Sequence, residues 1–231
     1  MLVLAIDTAS PHGSVAALRD EQLLDVVSDD AGDTQSLRFF GQMGKLLREQ
    51  NLAMPQFDLY AVNAGPGSFT GVRVGLTAVK AWAEVYSKPV AAVSGLEAVA
   101  GQGPGTASLL AAVTDARRGQ LYAGLYLREG TILRRRGGDV VMSPADCFAY
   151  LAGQSRGENI CFVTAAPDWL SELLASSQFH SAQIAAASEV LAPSIGRLGL
   201  ERASAGETLD ALSLDAHYVR CSDAEVLGKA K

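Results

Sequence analysis

The chain has few cysteines and few histidines, which removes several classes of protein from consideration. Its three cysteines are widely spaced and form no C-x-x-C pair: Cys147, Cys161 and Cys221. Neither a disulfide framework nor a structural zinc site is therefore predicted, and a reducing cytosol fits best. The three histidines also lack metal-ligand spacing, so each is expected at a turn or on the surface: His12, His180 and His217.

Long apolar runs are missing as well. No stretch is long enough to span a bilayer, and the segment from Met1 to Ile6 has no basic residues and meets Asp7 too early for a signal peptide. We expect a cytoplasmic protein that makes no contact with a membrane. With 231 residues, of which 48% are hydrophobic and 19% charged, the chain can form one large or two small domains with proper cores.

Basic residues are also fewer than acidic ones. The 19 basic and 25 acidic residues give a net charge of −6, so no overall positive field attracts a polyanion. Direct binding of nucleic acid would need another subunit or a local patch such as Arg134–Arg136. That run lies beside Gly137 and Gly138, and a solvated run of surface charge is the favoured interpretation.

The most informative segment that is present is a glycine-rich loop, N-A-G-P-G-S-F-T-G-V-R-V-G, at residues 63–75. It follows a predicted strand at 59–63, and Ser68 or Thr70 can cap the helix that continues from Thr70 to Ser87. Three interpretations remain open: a phosphate cradle, a tight strand-to-helix turn, or the start of a helix that packs against a partner. The loop matches neither of the standard glycine motifs for nucleotides.

Small residues share one face of this second helix. Gly71, Gly75 and Ala78 follow one another at spacings of four and three, which lets another backbone approach closely. Each glycine costs a helix roughly 1 kcal/mol relative to alanine, so close packing is expected in return.

The first predicted helix, Thr34 to Gln50, is apolar over much of its circumference. One stripe contains Leu37, Phe40, Gly44 and Leu47, and a second stripe beside it is formed by residues 39, 43 and 46. A helix with such a wide apolar face must bury more than one side, either inside its domain or against a neighbour.

The predicted elements repeat one topology. Strands are expected at residues 2–6, 14–18, 23–27, 59–63, 90–93, 108–113, 120–127, 131–136 and 160–164, and helices at 34–50, 70–87, 143–151, 167–175 and 188–205. A glycine-rich stretch at residues 101–105 suggests a boundary, which gives an N-terminal lobe of residues 1–103 and a C-terminal lobe of residues 104–231. The last helix is expected to pack back on the first lobe.

Asp7 and Asp115 end equivalent strands of the two half-repeats, each followed by a turn and another strand. This pattern resembles the superfamily of actin, sugar kinases and chaperone ATPases. The resemblance implies an α/β, two-lobed, actin-like or sugar-kinase-like ATPase fold with lobes of the βββαβα type, the second one reduced. It also implies a vestigial nucleotide cleft at Asp7, Thr8 and Asp115. The local alternative is that each aspartate only caps its turn.

Four segments, in this order, resemble the TsaB family: L-A-I-D-T-A at 4–9, G-P-G-S-F-T-G-V-R-V-G at 65–75, D-A-R-R-G-Q-L-Y at 115–122 and Y-V-R at 218–220. The match is strong over the first half of the chain. Family members often have a histidine near residues 34–36, which this chain lacks, so any contact through that position is in doubt.

The resemblance implies a noncatalytic paralogue of TsaD in the complex that places threonylcarbamoyl on N6 of an adenosine beside the tRNA anticodon. The implied partners are a TsaD-like catalytic subunit and a TsaE-like ATPase, with tRNA reached through the complex and a homodimer when the chain is alone. No cofactor of its own is implied, and ATP or ADP would lie at or near the partner interface. The expected partner-binding residues are those of the two helices: Leu37, Phe40, Gly44, Leu47, Phe69, Gly71, Arg73, Gly75, Ala78, Val79 and Trp82.

The main alternative is an autonomous ATPase or small-molecule kinase of the same superfamily. It would use Asp7 and Asp115 around Mg²⁺ and glycine turns on the phosphates. No G-G-containing adenosine turn is found at the expected place in the second lobe. A serine hydrolase is disfavoured because Ser68 does not lie in a G-x-S-x-G motif.

Overall fold

A computed structural model describes residues 1–28 and 35–219. Thr34, Arg220 and Cys221 lie outside the described residues. The elements along the chain are β1 (Leu2–Asp7), β2 (Ser14–Arg19), β3 (Gln22–Val27), α1 (Gln35–Glu49), a 3₁₀ turn (Met54–Gln56), β4 (Leu59–Asn63), α2 (Phe69–Tyr86), β5 (Val90–Val93), α3 (Gly95–Ala100), β6 (Leu109–Asp115), β7 (Leu121–Glu129), β8 (Ile132–Met142), α4 (Pro144–Ser155), β9 (Cys161–Thr164), α5 (Pro167–Leu174), β10 (Gln183–Ala186) and α6 (Ala192–Ser204).

The chain forms two compact units. The first contains Met1–Gly95 together with the segment from Glu189 onward. Its five-stranded sheet has the order β3-β2-β1-β4-β5, with antiparallel pairing of β1 to β2 and β2 to β3, and parallel pairing of β1 to β4 and β4 to β5.

The two faces of the first sheet differ in side-chain size. Leu4, Ile6 and other large residues belong to the core that also contains the buried side chains of α1 and α2. The other face presents small residues to α6, where a Cβ on Gly199 would come within 2.5 Å of the Cβ of Ala61. Alternating large and small residues along the strands therefore place α1 and α2 on one face and bring α6 very close to the other.

The second unit, Leu96–Ser188, has its own five-stranded sheet in the order β10-β9-β6-β7-β8. Its pairing matches the first sheet: two antiparallel pairs on one side of β6, and parallel β9 and β10 on the other. The second core lies between this sheet and the helices α4 and α5. Repetition of one sheet topology confirms the predicted two-lobed α/β class.

The second lobe is reduced in its helices but not in its sheet. Helices α4 and α5 have 12 and 8 residues, whereas α1 and α2 have 15 and 18. Besides the 3₁₀ turn, two elements were absent from the sequence prediction, α3 and β10. Both are short, with six and four residues, and β10 is half exposed, so neither leaves a clear periodic pattern.

The division into units differs from a split after residue 103. The glycines at 101–105 were interpreted as a boundary, but Gly103 packs against the second sheet, where an added Cβ would clash with Leu110 of β6 and Val163 of β9. Helix α6 contacts β1, β2, β4 and β5 and therefore belongs to the first unit.

Residues 209–218, named here the C-terminal strap, cross the first unit after α6. Leu209 and Val90 exchange two backbone hydrogen bonds, of 2.9 and 2.8 Å, at the edge strand β5. Leu214 is fully buried, and the His217 amide donates to the Ala64 carbonyl at 2.8 Å. The strap thus joins the edge of the sheet to the glycine-rich loop. In the described part of the chain, no helix is both long and apolar enough to cross a membrane.

Candidate functional site

Asp7 lies at the end of β1 and holds the turn that follows. It is fully buried, and its carboxylate accepts hydrogen bonds from the amides of Ala9 and Ser10 at 3.0 and 3.1 Å. The Ser10 hydroxyl donates to the second carboxylate oxygen, and Asn63 Nδ2 donates to the first at 2.8 Å. Four donors thus converge on one side chain, which supports the turn-capping interpretation of this aspartate.

Burial raises the pKa of Asp7, and the hydrogen bonds from Ser10 and Asn63 oppose that shift. A small cavity of about 10 Å³ touches Asp7 and Thr8. This volume suits a single water molecule and is far below that of a nucleotide phosphate. The hydrogen bonds around Asp7 hold the turn after β1 and join it to Asn63 at the end of β4.

Thr8 connects β1 to helix α2. Its hydroxyl donates to the Gly71 carbonyl at 2.6 Å, and an added Cβ on Gly75 would lie 2.5 Å from the same hydroxyl oxygen. Gly71, Gly75 and Val79 are all buried in this way. The close approach that Gly75 permits in the described structure is to Thr8, at the end of β1, and to Val62 of β4. Partner binding through Gly71, Gly75 and Val79 stays a prediction.

The glycine-rich loop uses its own backbone donors. Ser68 donates its amide to the Ala9 carbonyl at 2.9 Å, and Gly65 donates to Asn63 Oδ1 at 2.9 Å. The Ser68 hydroxyl accepts from the Gly71 amide and caps α2, which begins at Phe69 rather than Thr70. The amides of Gly65, Ser68 and Gly71 are therefore occupied by acceptors of the chain itself. The tight-turn interpretation fits this geometry better.

Helix α1 presents a buried face and an open face. Phe39, Met43 and Leu46 are buried in the core. Leu37 and Phe40 are 64% and 57% exposed. The second predicted stripe is thus the buried one, whereas the first is divided: Leu37 and Phe40 are exposed and Leu47 packs against the core.

Two glycines lie in the open face of α1. Nothing is within 4 Å of a Cβ added at Gly41, and at Gly44 only the mobile end of Arg48 is near. No contact within the described structure explains why a mid-helix position should be glycine at either site. Gly41 was not among the predicted residues, although its three-residue spacing from Gly44 could have indicated it. Leu47 and Gly44 are half-buried on the same side.

Helix α2 contributes the flank of this surface. Trp82 is half-buried, with its ring 6.0 Å from Phe39 of α1 and 6.1 Å from Tyr60 of β4, and Ala78 is also half-buried. These contacts join the two helices, and the aromatic series continues to Phe40, whose ring lies 5.1 Å from Phe39. We name the outward residues of α1, namely Leu37, Phe40, Gly41 and Gly44, the α1 open face.

Arg73, Phe69 and Tyr218 form a cluster at the start of α2. The Arg73 guanidinium lies 3.8 Å from the centre of the Phe69 ring, and its Nε donates to the Tyr218 hydroxyl at 3.0 Å. The Phe69 and Tyr218 rings are 5.2 Å apart. Stacking and the hydrogen bond fasten the end of the C-terminal strap to α2.

In the second unit, Asp115 ends β6 and caps a hairpin. Its Oδ1 accepts from the Arg117 amide at 2.7 Å, and its side chain is 44% exposed. Three successive residues then have positive φ: Arg117 at 63°, Arg118 at 55° and Gly119 at 69°. Only the glycine adopts this region without penalty, and each arginine costs roughly 1 to 2 kcal/mol there.

The arginine run at 134–136 is paired. Arg134 contacts Glu129 at 2.6 Å, Arg135 contacts Asp139 at 3.0 Å, and Arg136 contacts Glu158 at 2.6 Å. Each positive charge has an acidic neighbour on or near the edge strand β8, which supports the interpretation of this run as surface charge.

Metal-ligating and thiol groups are dispersed. Within residues 1–28 and 35–219, no three side chains of His, Cys, Asp or Glu lie close enough together to hold a metal ion. His12 is paired with Glu189 at 3.0 Å. Cys147 and Cys161 are buried and free, and burial raises the pKa of the Cys147 thiol to about 12. A thiol with such a pKa is inert at neutral pH.

Comparison with known proteins gives consistent matches. A family model described as TsaD, tRNA N6-adenosine threonylcarbamoyltransferase, matches residues 29–195. The tRNA threonylcarbamoyladenosine biosynthesis protein TsaB of Bacillus subtilis strain 168 is 33% identical over 156 residues, which is 68% of each chain. Three further relatives with that name are matched over only 55% to 63% of their own length.

Solved structures extend the similarity along the chain. YeaZ from Pseudomonas aeruginosa, at 25% identity, has a TM-score of 0.78 over 94% of this chain and 99% of that one. The activator of 2-hydroxyisocaproyl-CoA dehydratase from Clostridium difficile, with bound ADPNP, has a TM-score of 0.52 at 10% identity, over 90% of this chain and 97% of that one. The second likeness shows the fold alone, and it agrees with the expected actin-like architecture. The TsaD family model fits this fold, and the Bacillus relative shows that the chain belongs to the TsaB family.

Proposed function

We propose that this chain is a noncatalytic scaffold subunit of the complex that transfers threonylcarbamoyl to N6 of an adenosine in tRNA. It pairs with a TsaD-like catalytic subunit through the α1 open face, with the flank of α2 beside it. The observation that carries this proposal is the combination of two exposed apolar side chains with two glycines that no contact among residues 1–28 and 35–219 explains.

The α1 open face has the properties of a helix-docking surface. Leu37 and Phe40 lose contact with water when a partner covers them, which contributes about 25 cal/mol per Å² of apolar area before association entropy is subtracted. Gly41 and Gly44 let the backbone of a partner helix approach. Glycine lowers helix stability by roughly 1 kcal/mol per position, so two of them in one helix are best explained by a contact outside the chain.

Residues of the first unit support a role without catalysis. The aspartate that would hold Mg²⁺ in a kinase of this fold, Asp7, is buried under four hydrogen-bond donors. Two of the loop amides, those of Ser68 and Gly65, are bonded to Ala9 and Asn63. In this proposal the chain has no cofactor of its own, and ATP or ADP binds at or near the partner interface.

The other proposed partners are the remaining members of the tRNA-modifying complex. A TsaE-like ATPase joins the assembly, and tRNA is held mainly by other subunits because this chain has a net charge of −6. When the catalytic partner is absent, two copies pair through the same surface. The proposed location is the cytoplasm, where tRNA is modified.

Reconstitution tests the proposal. The purified chain is added to a TsaD-like subunit, a TsaE-like ATPase, threonylcarbamoyl-adenylate and tRNA, and modified adenosine is quantified. We expect strong stimulation by the chain and no ATP hydrolysis by the chain alone. Absence of stimulation by a folded chain would contradict the proposal. Mg²⁺-dependent ATP hydrolysis by the chain alone that is lost in Asp7→Asn would support the autonomous ATPase instead.

A further inference from the structure

We infer that the partner surface docked on the α1 open face is acidic, and that one of its carboxylates takes the Arg48 guanidinium away from Gly44. This rests on the proposed function and adds the chemistry of the catalytic partner to it. The catalytic subunit presents at least one Asp or Glu side chain beside Gly44, with further negative charge near Lys45.

Helices α1 and α2 carry positive charge in an acidic chain. Together they contain five basic and two acidic residues, whereas the whole chain has 19 basic and 25 acidic residues. In α1 the basic residues are Arg38, Lys45 and Arg48, and the acid is Glu49. The positive charge therefore lies on the face of the first sheet that the proposed function assigns to the partner. A positive surface attracts and orients a negative one.

Lys45 and Arg48 have no acid of their own chain beside them in the described structure. Both side chains are exposed, and no carboxylate among residues 1–28 and 35–219 lies within 4 Å of either. Aspartates also occur in the sequence at 29–33, outside the described residues, and they precede the other end of α1. About 15 Å of helix separates Gln35 from Lys45. The two cations thus stay available to an acid of another molecule.

The Arg48 guanidinium lies on the α1 open face itself. Its Nη1 is 3.2 Å from the place where a Cβ on Gly44 would be. A partner helix that approaches Gly44 must therefore displace this group. A guanidinium that loses water in an interface is stable there only if an anionic acceptor replaces the water. A carboxylate is the natural acceptor, because arginine donates two parallel hydrogen bonds to it.

A second role for Arg48 needs no partner. Arg48 lies in the last turn of α1, where the helix dipole favours a cation. That role affects the stability of the isolated chain and not the rate at which the chain meets a partner. Salt-dependent association therefore separates the two roles.

The neighbours of Arg48 distinguish between occupants of the face. Leu37 and Phe40 are exposed beside it and supply the apolar centre that a protein interface needs and an RNA backbone does not use. A second copy of this chain would bring the same two cations, and the α1 open face contains no acid to receive them. An acidic surface of the catalytic subunit fits both the apolar centre and the charge.

The test compares two charge reversals, Arg48→Glu and Arg197→Glu. Arg197 is an exposed residue of α6 in the first unit, also without a described carboxylate within 4 Å, and α6 packs on the opposite face of the sheet from α1. Each variant exchanges one positive charge for a negative one, so an effect of net charge alone is the same in both. Arg48→Gln is a neutral third variant. Circular dichroism of the isolated chains checks that all three are folded.

The association rate with the catalytic subunit is measured by biolayer interferometry at several KCl concentrations. The wild-type rate should fall as KCl increases. For Arg48→Glu we expect about tenfold slower association at low KCl, with a gap that narrows at high KCl because salt screens the charges. Arg48→Gln should lie between the two, and Arg197→Glu should stay within about twofold of the wild type.

Equal association rates for Arg48→Glu and Arg197→Glu at every KCl concentration would overturn the inference, as would faster association of Arg48→Glu. Self-association of the isolated chain is measured by analytical ultracentrifugation. If Arg48→Glu weakens self-association but leaves binding to the catalytic subunit unchanged, the acid belongs to a second copy and the inference is wrong.

The wild-type chain is measured first. A wild type that does not bind the catalytic subunit at any KCl concentration removes the proposed function, and the acidic contact with it. A wild type that binds, together with an unaffected Arg48→Glu, removes the acidic contact alone.

Discussion

The hydroxyl oxygen of Thr8 lies 2.5 Å from the place where a Cβ on Gly75 would be. The same hydroxyl donates to the Gly71 carbonyl, so helix α2 rests on the end of β1 with no room for a side chain between them. The two glycines of α2 are part of the first core. Substitutions at these positions are therefore expected to lower the stability of the isolated chain, whatever their effect on assembly.

Gly75→Leu is accordingly expected to destabilise the isolated chain. The side chain would overpack the contact with Thr8 and Val62, at a cost of about 3 kcal/mol or more, given that α2 must move away from the sheet. Urea unfolding monitored by circular dichroism measures this loss. A variant as stable as the wild type would show that α2 does not rest on β1 in this way.

Gly41→Leu is expected to stabilise the isolated chain but to prevent its assembly with the catalytic partner. The new side chain meets open space, and replacing glycine inside a helix should stabilise the isolated chain by roughly 0.5 to 1 kcal/mol. The side chain would, however, separate the α1 open face from a docked helix, and co-purification with the catalytic partner should be lost. Size-exclusion chromatography of the mixed subunits gives the result directly.

Gly153→Leu is the matched control for that variant. Gly153 also lies within a helix, α4, and also has nothing within 4 Å of an added Cβ, but it belongs to the second unit. It should have the same small gain in stability and full assembly. Assembly by Gly41→Leu at the level of Gly153→Leu would remove the α1 open face from the proposal.

Asp7→Asn should change the pH dependence of stability. The folded chain raises the pKa of Asp7 above its usual value of 3.8 because the carboxyl is buried, so the folded state binds the proton more tightly than the unfolded state does. The stability that Asp7 contributes is fully present below pH 3.8 and falls as the pH rises through the folded pKa. Asparagine keeps an acceptor for the Ala9 and Ser10 amides, and its Nδ2 can donate to the Ser10 hydroxyl.

The melting temperature of Asp7→Asn relative to the wild type should therefore increase from pH 4 to pH 7. Differential scanning fluorimetry in a series of buffers measures it. Stimulation of tRNA modification should be retained, since the scaffold role does not use the carboxylate. A relative melting temperature that decreases with pH would mean that the hydrogen bonds outweigh burial at this site.

Arg73 and Tyr218 should be energetically coupled. Arg73→Ala removes a stacked guanidinium and a 3.0 Å hydrogen bond, and Tyr218→Ala removes the same contact from the strap. A double-mutant cycle should give a coupling free energy of about 0.5 to 1 kcal/mol, typical of a partly exposed cation–π pair. Strictly additive effects would show that the cluster does not hold the strap.

The sequence predicted most long elements well, and its errors have identifiable causes. Strand β4 and strand β5 were predicted at their observed bounds, because apolar runs flanked by Gly, Pro and Lys are unambiguous. The two stripes of α1 were also predicted. The contact of the α2 glycines with the chain's own sheet could not be predicted, because a helix with apolar residues on several sides does not reveal which side meets its sheet. Only the contact with Thr8 decides it.

The candidate site shows a second limit of sequence patterns. Asp7 is compatible with both Mg²⁺ binding and turn capping, and the deciding partner, Asn63, is 56 residues away in the sequence. The left-handed conformation of Arg117 and Arg118 is similarly invisible, since arginine is not a residue that predicts positive φ. Long-range contacts and backbone angles carried the information that composition and periodicity could not.

The position of α6 has a consequence for synthesis on the ribosome. Strands β1 to β5 are complete once residue 93 has been made, but the small-residue face that receives α6 stays uncovered until residues 192–204 emerge. The strap that closes the glycine-rich loop follows later still. The second unit can therefore fold before the first is finished, and the nascent chain carries an exposed, alanine-lined sheet face for about half of its translation. A chain that is truncated before α6 should depend on chaperones, even though its first 95 residues are complete.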